Sequence, residues 1–231
     1  MTARGFPRAA LFDLDGTLLD SAPDMLATAN RMRASRGVDA MTLDTLRPHV
    51  SKGARAMLAA AFPAMEQSPR EALVPEFLAI YQEELGRHSL LFDGVADMLG
   101  ALEQAGSVWG IVTNKPEYLA RDILPQLGWE TRCAVLIGGD TLAEKKPHPL
   151  PLQVAAERIG IAIADCVYVG DDERDIQASR AAGMPSIAAL WGYRQAHEVP
   201  AAWGADVMLE QPADLLKPAA WPFFHRLAGA T

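Results

Sequence analysis

The chain has 231 residues, half of them hydrophobic, enough to bury the core of one large domain or of a domain with a small companion. Its formal net charge of −8 argues against a nucleic-acid-binding surface, which is normally basic. There is no apolar run near the ~20 residues of a membrane span, no signal-peptide core, and too few cysteines for a disulfide framework. We therefore expect a cytoplasmic protein, monomer or homodimer, with no nucleic-acid or membrane partner.

The first predicted strand, residues 9–12, runs into a pair of carboxylates. Asp13 and Asp15 stand two residues apart, where the apolar run meets a glycine turn. In an extended chain, side chains two residues apart point the same way, so both face one reaction centre and Leu14 turns into the core. The pair suggests a nucleophile or metal ligand beside a general acid/base, although an aspartate-rich turn after a buried strand is the alternative.

The segment that follows is predicted to be helical and to contain no strand. Amphipathic patterns cover residues 24–36, 43–50, 53–61 and 70–87. Ser68 before Pro69 has the pattern of a helix start, with Ser68 as the cap. We predict a helical cap domain at residues 18–90, inserted into a catalytic core formed by residues 1–17 and 91–231.

Beyond residue 90, predicted strands alternate with predicted helices. This alternation indicates an α/β fold: a doubly wound parallel sheet, Rossmann-like, with helices on both faces. The strands are predicted at residues 108–112, 134–137, 166–169 and 186–190, with an edge strand at 205–209. The helices are predicted at residues 94–105, 117–127, 150–159 and 176–182.

Polar clusters recur along the chain, three of them directly after predicted strands. In an open parallel sheet, ligands bind at the carboxyl edge, beside the point where the strand order reverses. Four clusters in this order therefore indicate one active site. They are Asp13 and Asp15; Thr113 and Asn114; Lys145 and Lys146; and Asp171, Asp172 and Asp175.

In this order, the motifs resemble those of the haloacid dehalogenase superfamily of aspartate-nucleophile phosphatases; the matching residues are 13–17, 113–114, 146–147 and 170–175. Within it, residues 20–24 and 113–116 look most like the phosphoglycolate phosphatase group. Residues 50–55 and 169–172 are also similar to a sister group, the bacterial N-acetylmuramic acid 6-phosphate phosphatases.

The resemblance implies a Mg²⁺-dependent phosphoric monoester hydrolase that acts through an aspartyl-phosphate. Asp13 is then the nucleophile, and Asp15 protonates the leaving oxygen and later activates water. The ion is expected on the carboxylates of Asp13 and Asp171 and the backbone carbonyl of Asp15. Asp175 belongs to this metal site, but it is expected to hydrogen-bond the ion's waters or Lys146 rather than to bind the ion directly. Asp172 either makes similar indirect contacts or is solvated.

The same resemblance assigns the groups that bind the phosphate. Thr113 donates its hydroxyl to a phosphoryl oxygen, with Asn114 beside it. Lys146 neutralises Asp13 and the phosphate; Lys145 is the competing assignment, but Lys146 directly precedes Pro147 as the family lysine does.

Substrate choice is expected in the cap. Lys52, Gly53 and Arg55 lie between two predicted cap helices, where a cation suits the carboxylate of glycolate. A solvated basic turn is the alternative interpretation of these residues.

The leading hypothesis is a phosphatase of carbohydrate metabolism that acts on a small phosphorylated metabolite, first 2-phosphoglycolate. The nearest alternative is N-acetylmuramic acid 6-phosphate, which needs more room under the cap. A phosphomutase of the same fold comes next. A dehalogenase, which needs no Mg²⁺, and a non-enzymatic binding protein are disfavoured because neither requires the full set of carboxylates.

Overall fold

The computed structural model describes residues 5–222. Both ends of the predicted core, residues 1–4 and 223–231, lie outside the described residues. Within residues 5–222 there are eight strands. In chain order they are β1 (Ala9–Phe12), β2 (Leu19–Asp20), β3 (Leu90–Leu91), β4 (Val108–Val112), β5 (Leu136–Ile137), β6 (Cys166–Gly170), β7 (Ser186–Ala189) and β8 (Val207–Leu209).

The described residues also form nine α-helices, five between β2 and β3 and four that alternate with the strands of the main sheet. In chain order they are α1 (Ala22–Ala34), α2 (Leu43–Leu46), α3 (Ala54–Ala61), α4 (Gln67–Glu71), α5 (Val74–Glu84), α6 (Val95–Gln104), α7 (Glu117–Ile123), α8 (Leu150–Arg158) and α9 (Glu173–Ala182). None of the helices in residues 5–222 is both long and apolar enough to cross a bilayer.

The main sheet has six strands in the order β5–β4–β1–β6–β7–β8, and every neighbouring pair is parallel. The strand order reverses at β1, because β4 and β5 extend the sheet on one side and β6 to β8 on the other. The predicted doubly wound α/β fold with an inserted helical region is confirmed. A crevice is expected where the order reverses, at the carboxyl end of β1.

The central strand β1 is buried on both faces, which explains its uninterrupted apolar sequence. Phe12 packs into the core that includes Leu99 of α6 and Leu119 of α7, whereas Leu11 packs into a second core with Leu152 of α8. All of these side chains are fully buried. The strand is thereby fixed from both sides, and so is the point at which it ends.

The helical segment, defined here as residues 22–84, is joined to the sheet by a two-stranded ribbon. Leu19 of β2 pairs with Leu91 of β3, antiparallel. The sequence analysis expected no strand in residues 18–90, and this was wrong at both ends of that range. The pairing joins two segments of the chain that are far apart in sequence, so no local pattern indicates it.

Three helix bounds differ from the predicted ones, and prolines explain two of the differences. The helix predicted at residues 70–87 is two helices, because Pro75 lacks an N–H and starts α5 afresh. Ser68 is not a cap, since α4 begins at Gln67 and its N-cap is Glu66. Helix α7 ends at Ile123, before the predicted residue 127, because Pro125 has no N–H with which to continue the helical hydrogen bonds.

A buried carboxylate anchors the return of the chain from the helical segment to the sheet. Asp24 of α1 accepts hydrogen bonds from the backbone N–H groups of Gly86 (2.8 Å) and His88 (2.6 Å). The Ser89 hydroxyl donates to the same carboxylate. A buried carboxylate is tolerated only when donors replace water, as they do here.

We expect Asp24→Ala to lower the free energy of unfolding by about 2 kcal/mol, because it leaves three partly buried donors without their acceptor. Chemical denaturation measures the change. The control is Asp39→Ala, which removes an exposed carboxylate from the same segment and should cost less than about 0.5 kcal/mol. Equal losses in the two variants would contradict the anchoring role of Asp24.

Candidate active site

The carboxyl ends of three neighbouring strands bring the predicted residues to one place. Asp13 directly follows β1, Thr113 follows β4 and Asp171 follows β6. The Asp13 N–H donates to the Val169 carbonyl (2.9 Å), which continues the β1–β6 ladder up to the site. These residues therefore meet beside the point where the strand order reverses.

Three buried carboxylates, Asp13, Asp171 and Asp175, form the centre of the site. Each offers an oxygen, and these oxygens lie within 4.8 Å of one another. Burial and the neighbouring Asp13 raise the pKa of Asp171 well above its usual value. Burial raises the pKa of Asp175 to about 6, although Lys146 opposes this shift. An all-oxygen cluster with this much repulsion fits a hard divalent cation.

A glycine leaves room for the Asp171 carboxylate, and three hydrogen-bond donors hold that carboxylate in place. Gly16 has φ +86°, and a Cβ there would lie 2.3 Å from Asp171 Oδ2. The Thr17 hydroxyl donates to Oδ1 (3.1 Å), and the Tyr193 N–H donates to Oδ2 (2.9 Å). The Ser51 hydroxyl, from the helical segment, also donates to Oδ2 (2.8 Å). This carboxylate is therefore fixed before any ligand arrives.

Lys146 supplies the positive charge inside the cluster. Its Nζ lies 3.1 Å from Asp13 Oδ1 and 2.6 Å from Asp175 Oδ1. It also donates to the Tyr168 hydroxyl (2.7 Å). Burial alone would lower the pKa of Lys146, but Asp13 and Asp175 raise it, so the ammonium stays charged. Lys145 is exposed, so the structure brings Lys146 and not the competing lysine to Asp13.

Thr113 and Asn114 line the same site with free hydrogen-bonding capacity. The Thr113 oxygen accepts the Lys115 N–H (3.2 Å), which leaves its hydroxyl proton available to donate. The Asn114 amide donates to the Lys146 carbonyl (2.9 Å) and so ties the strand end to the lysine loop. Asn114 Oδ1 is buried and has no partner among the described residues.

Asp15 is held by residues that the sequence analysis did not assign. Its carboxylate accepts from the Ser21 hydroxyl (2.6 Å) and from Lys115 Nζ (3.0 and 3.2 Å). Leu14 between the two aspartates is fully buried, as the strand geometry predicts. The position of Lys115 directly after Thr113 and Asn114 was the available signal. Its partner Tyr81 comes from α5, and no local pattern reveals that contact.

Asp172 is buried, which excludes the solvated one of the two interpretations left open for it. It is the N-cap of α9 and accepts the Arg174 N–H at 3.0 Å. Lys52 Nζ lies 2.6 Å from its Oδ2, and Arg174 Nε lies 2.8 Å from its Oδ1. Burial would raise the pKa of Asp172, but Arg174 and Lys52 lower it to about 2.

A cavity of about 410 Å³ opens between the sheet edge and the helical segment, and both predicted catalytic aspartates line it. The cap residues Lys52, Gly53 and Arg55 line it too. The Lys52 ammonium is engaged by Asp172 and Glu198. Arg55 makes no side-chain hydrogen bond or ion pair within residues 5–222. Much of the remaining wall is apolar and comes from Met25, Val50, Met57, Val74, Phe77 and Leu78.

The parallel sheet brings together a nucleophile-like aspartate, a buried lysine and an acidic cluster at the point where its strand order reverses. This arrangement is typical of an aspartate-based hydrolase. Residues 10–189 match the family model of haloacid dehalogenase-like hydrolases. The chain belongs to that family, and the family predicted from the sequence motifs is confirmed.

Similar proteins agree with this assignment. The chain is 70% identical to phosphoglycolate phosphatase of Xanthomonas campestris pv. campestris (strain 8004) over 94% of its own length and 98% of that protein. It is 44% identical to N-acetylmuramic acid 6-phosphate phosphatase of Pseudomonas aeruginosa, over 90% and 93%. The crystal structure of a predicted phosphoglycolate phosphatase from Haemophilus somnus 129PT superposes with a TM-score of 0.80 at 26% identity, over 93% and 98%. Both sequence relatives are phosphatases, so the predicted enzyme class is confirmed.

We expect a divalent cation to stabilise the protein more at pH 8 than at pH 5. The raised pKa values of Asp171 and Asp175 favour their protonated forms at low pH, and protons compete with the cation. Without cation, the stability that the raised pKa of Asp175 contributes is lost as pH rises through about 6. At a hundredfold excess over its Kd, the cation then adds about 2.7 kcal/mol.

Thermal unfolding with MgCl₂ or EDTA at the two pH values measures this linkage. Asp171→Asn should remove most of the response, whereas Asp39→Ala should retain it. A rise in Tm of the same size at both pH values would show that the cation binds elsewhere.

Proposed function

We propose that the protein is a Mg²⁺-dependent phosphatase of small phosphate monoesters, with 2-phosphoglycolate as its leading substrate. The observation that carries this proposal is the ion pair between Lys146 and Asp13 at the rim of a cavity that Asp15 also lines. The name of the relative at 70% identity supports the choice of substrate.

Asp13 has the contacts that a nucleophile needs. Its Oδ1 accepts the Leu14 N–H (2.8 Å) and lies 3.1 Å from Lys146 Nζ. Within residues 5–222, Oδ2 accepts no hydrogen bond, so it is the oxygen that attacks phosphorus. A bond forms between Oδ2 and phosphorus as the ester oxygen leaves, and Asp15 gives that oxygen its proton.

The second displacement uses the same two residues in reversed roles. Asp15, now a carboxylate, accepts a proton from water as the water oxygen attacks phosphorus. The bond between phosphorus and Asp13 breaks, which restores the Asp13 carboxylate and yields inorganic phosphate. Thr113, Asn114 and Lys146 bind the phosphoryl oxygens in both steps.

The residues that would hold Mg²⁺ are Asp13 and Asp171, with the backbone carbonyl of Asp15. Asp175 pairs with Lys146 and would accept hydrogen bonds from waters on the ion. When bound, Mg²⁺ neutralises charge on the carboxylates and on the transferring phosphoryl group. Lys146 supplies a second positive charge 3.1 Å from Asp13 Oδ1, so neither cation alone would have to offset the cluster.

We also propose that residues 18–90 act as the cap domain of this enzyme. The helical segment covers the sheet edge and contributes Ser51 and Lys52 to the contacts around Asp171 and Asp172. Substrate therefore meets side chains from both parts of the chain in one cavity.

A second candidate substrate is N-acetylmuramic acid 6-phosphate, and the cavity favours it. A volume of about 410 Å³ lies in the range of ~300–1,000 Å³ that holds drug-sized ligands. Glycolate has two carbons and would leave much of that space and its apolar wall unused. The amino sugar carries a carboxylate and two methyl groups that would use them, and the catalytic steps would be unchanged.

Phosphate release with Mg²⁺ tests the proposal and ranks the two substrates. We expect the enzyme to hydrolyse 2-phosphoglycolate with a higher kcat/KM than N-acetylmuramic acid 6-phosphate or simple sugar phosphates. Asp13→Asn should reduce turnover by about a thousandfold or more, because it removes the nucleophile while keeping the side-chain shape. EDTA should abolish release.

Preference for the amino sugar would keep the mechanism and reassign the substrate. Residual turnover of Asp13→Asn above about a tenth of the parent rate would exclude Asp13 as the nucleophile. Isomerisation without free phosphate would identify a phosphomutase.

We expect Arg55, rather than Lys52, to read the substrate's carboxylate, because the Lys52 ammonium already faces Asp172 and Glu198. Arg55→Ala should raise KM for 2-phosphoglycolate about tenfold or more, the effect of losing one charge-assisted hydrogen bond. KM for p-nitrophenyl phosphate, which has no carboxylate, should stay within about twofold.

Lys52→Ala and Arg87→Ala are the comparisons for this experiment. Lys52→Ala should affect all substrates alike, through its contacts with the core. Arg87 is exposed and outside the cavity lining, so its removal should affect none. Equal KM changes on both substrates in Arg55→Ala would remove Arg55 from carboxylate recognition.

A further inference from the structure

A second buried lysine lies beside the acid/base carboxylate and has no role in the mechanism above. Lys115 is buried in the loop between β4 and α7. Its Nζ donates to both oxygens of Asp15, at 3.0 and 3.2 Å. It also donates to the hydroxyl oxygen of Tyr81 in α5 and lies 4.4 Å from the centre of that ring.

These contacts are the partners of the ammonium group within residues 5–222. Lys115 donates to the Asp15 carboxylate and to the Tyr81 hydroxyl, and its side chain is only 2% exposed. Lys115 is therefore arranged to act on Asp15.

The backbone of Lys115 is anchored as firmly as its side chain. Its N–H donates to Thr113 Oγ1 (3.2 Å), and its carbonyl accepts from Gly139 N–H (2.8 Å). Ser21, just ahead of α1, fixes Asp15 Oδ1 from the other side (2.6 Å). The plane of the Asp15 carboxylate is thus set by a strand-end loop, the start of α1 and, through Tyr81, by α5.

We infer that Lys115 is a positioning residue that holds the Asp15 carboxylate in the orientation in which it accepts the proton of the attacking water, and that Tyr81 couples this orientation to the helical segment. The inference rests on the proposed phosphatase function. It concerns the second displacement, because both oxygens of Asp15 act as acceptors toward Lys115, as they do in a base. Misorienting the base slows removal of phosphate from Asp13.

Pre-steady-state kinetics with p-nitrophenyl phosphate isolate that step. This ester has a good leaving group, so the first displacement depends little on Asp15. In Lys115→Met we expect a burst of p-nitrophenolate equal to the enzyme concentration, followed by slow turnover. Part of the ~10²–10⁴-fold contribution of a general base is lost, so kcat should fall about tenfold to a hundredfold.

The steady-state constants should separate in a way that a merely structural defect does not produce. Since kcat/KM reports only steps up to the departure of p-nitrophenolate, it should stay within about threefold of the parent value. KM should fall with kcat. Phosphate bound covalently to the protein, measured by intact mass after acid quench, should rise.

Three variants complete the experiment. Tyr81→Phe keeps the lysine and removes one contact, so it should show the same burst with a smaller fall in kcat. Asp15→Asn should show the largest fall after the burst. Lys217→Met removes an exposed lysine that lies outside the cavity lining, so it should match the parent and show no burst.

The outcomes separate the inference from the proposed function. If the parent protein releases no phosphate from any ester, the proposed function fails. If the parent is active but Lys115→Met loses kcat and kcat/KM equally, without a burst, Lys115 does not act through Asp15 on the second step. Unchanged kinetics in Lys115→Met overturn the inference too. Should Lys115→Met fail to fold, a Tyr81→Phe variant without a burst overturns it as well.

Discussion

The site depends on one interaction, the burial of the Lys146 ammonium among carboxylates. Asp13, Asp171 and Asp175 share a buried edge of the sheet, where like charges repel and water does not screen them, so they need a compensating positive charge. Lys146 contacts Asp13 and Asp175 directly and donates to the Tyr168 hydroxyl, which in turn donates to the carbonyl of Val112 (2.6 Å). The position of the ammonium group is therefore fixed by β4 and β6, the two strands that flank β1.

A consequence is that the helical segment is electrostatically part of the site and not a separate cover. Ser51 holds Asp171, Lys52 pairs with Asp172, and Tyr81 meets Lys115. Each contact joins a residue of the helical segment to one at the sheet edge. Displacing the segment would remove one partner from each of these buried charges, so the position of the helices and the arrangement of the carboxylates constrain each other.

The sequence predicts the parts of this arrangement that follow from local rules. Apolar runs mark the strands, and polar residues after Phe12, Val112 and Gly170 meet because parallel strands end at one edge. Asp172 was left between two interpretations, since its burial depends on Lys52, distant in sequence. Lys115 was left without a role for the same reason, because its role depends on a contact with Tyr81, which is distant in sequence. The β2–β3 ribbon was missed because its two strands are separated by the entire helical segment.

This division between local and distant contacts also explains why chemistry is easier to infer than substrate. The proposed catalytic groups stand on strand ends that a parallel sheet fixes, and the relatives at 70% and 44% identity are both phosphatases although their names differ in substrate. The leaving group instead meets a wall drawn from several helices, including Met25 of α1, Met57 of α3 and Phe77 of α5. Substitutions of those side chains change the volume and leave the carboxylates in place. Selectivity can therefore diverge within this family without any change in the residues that break the phosphate ester.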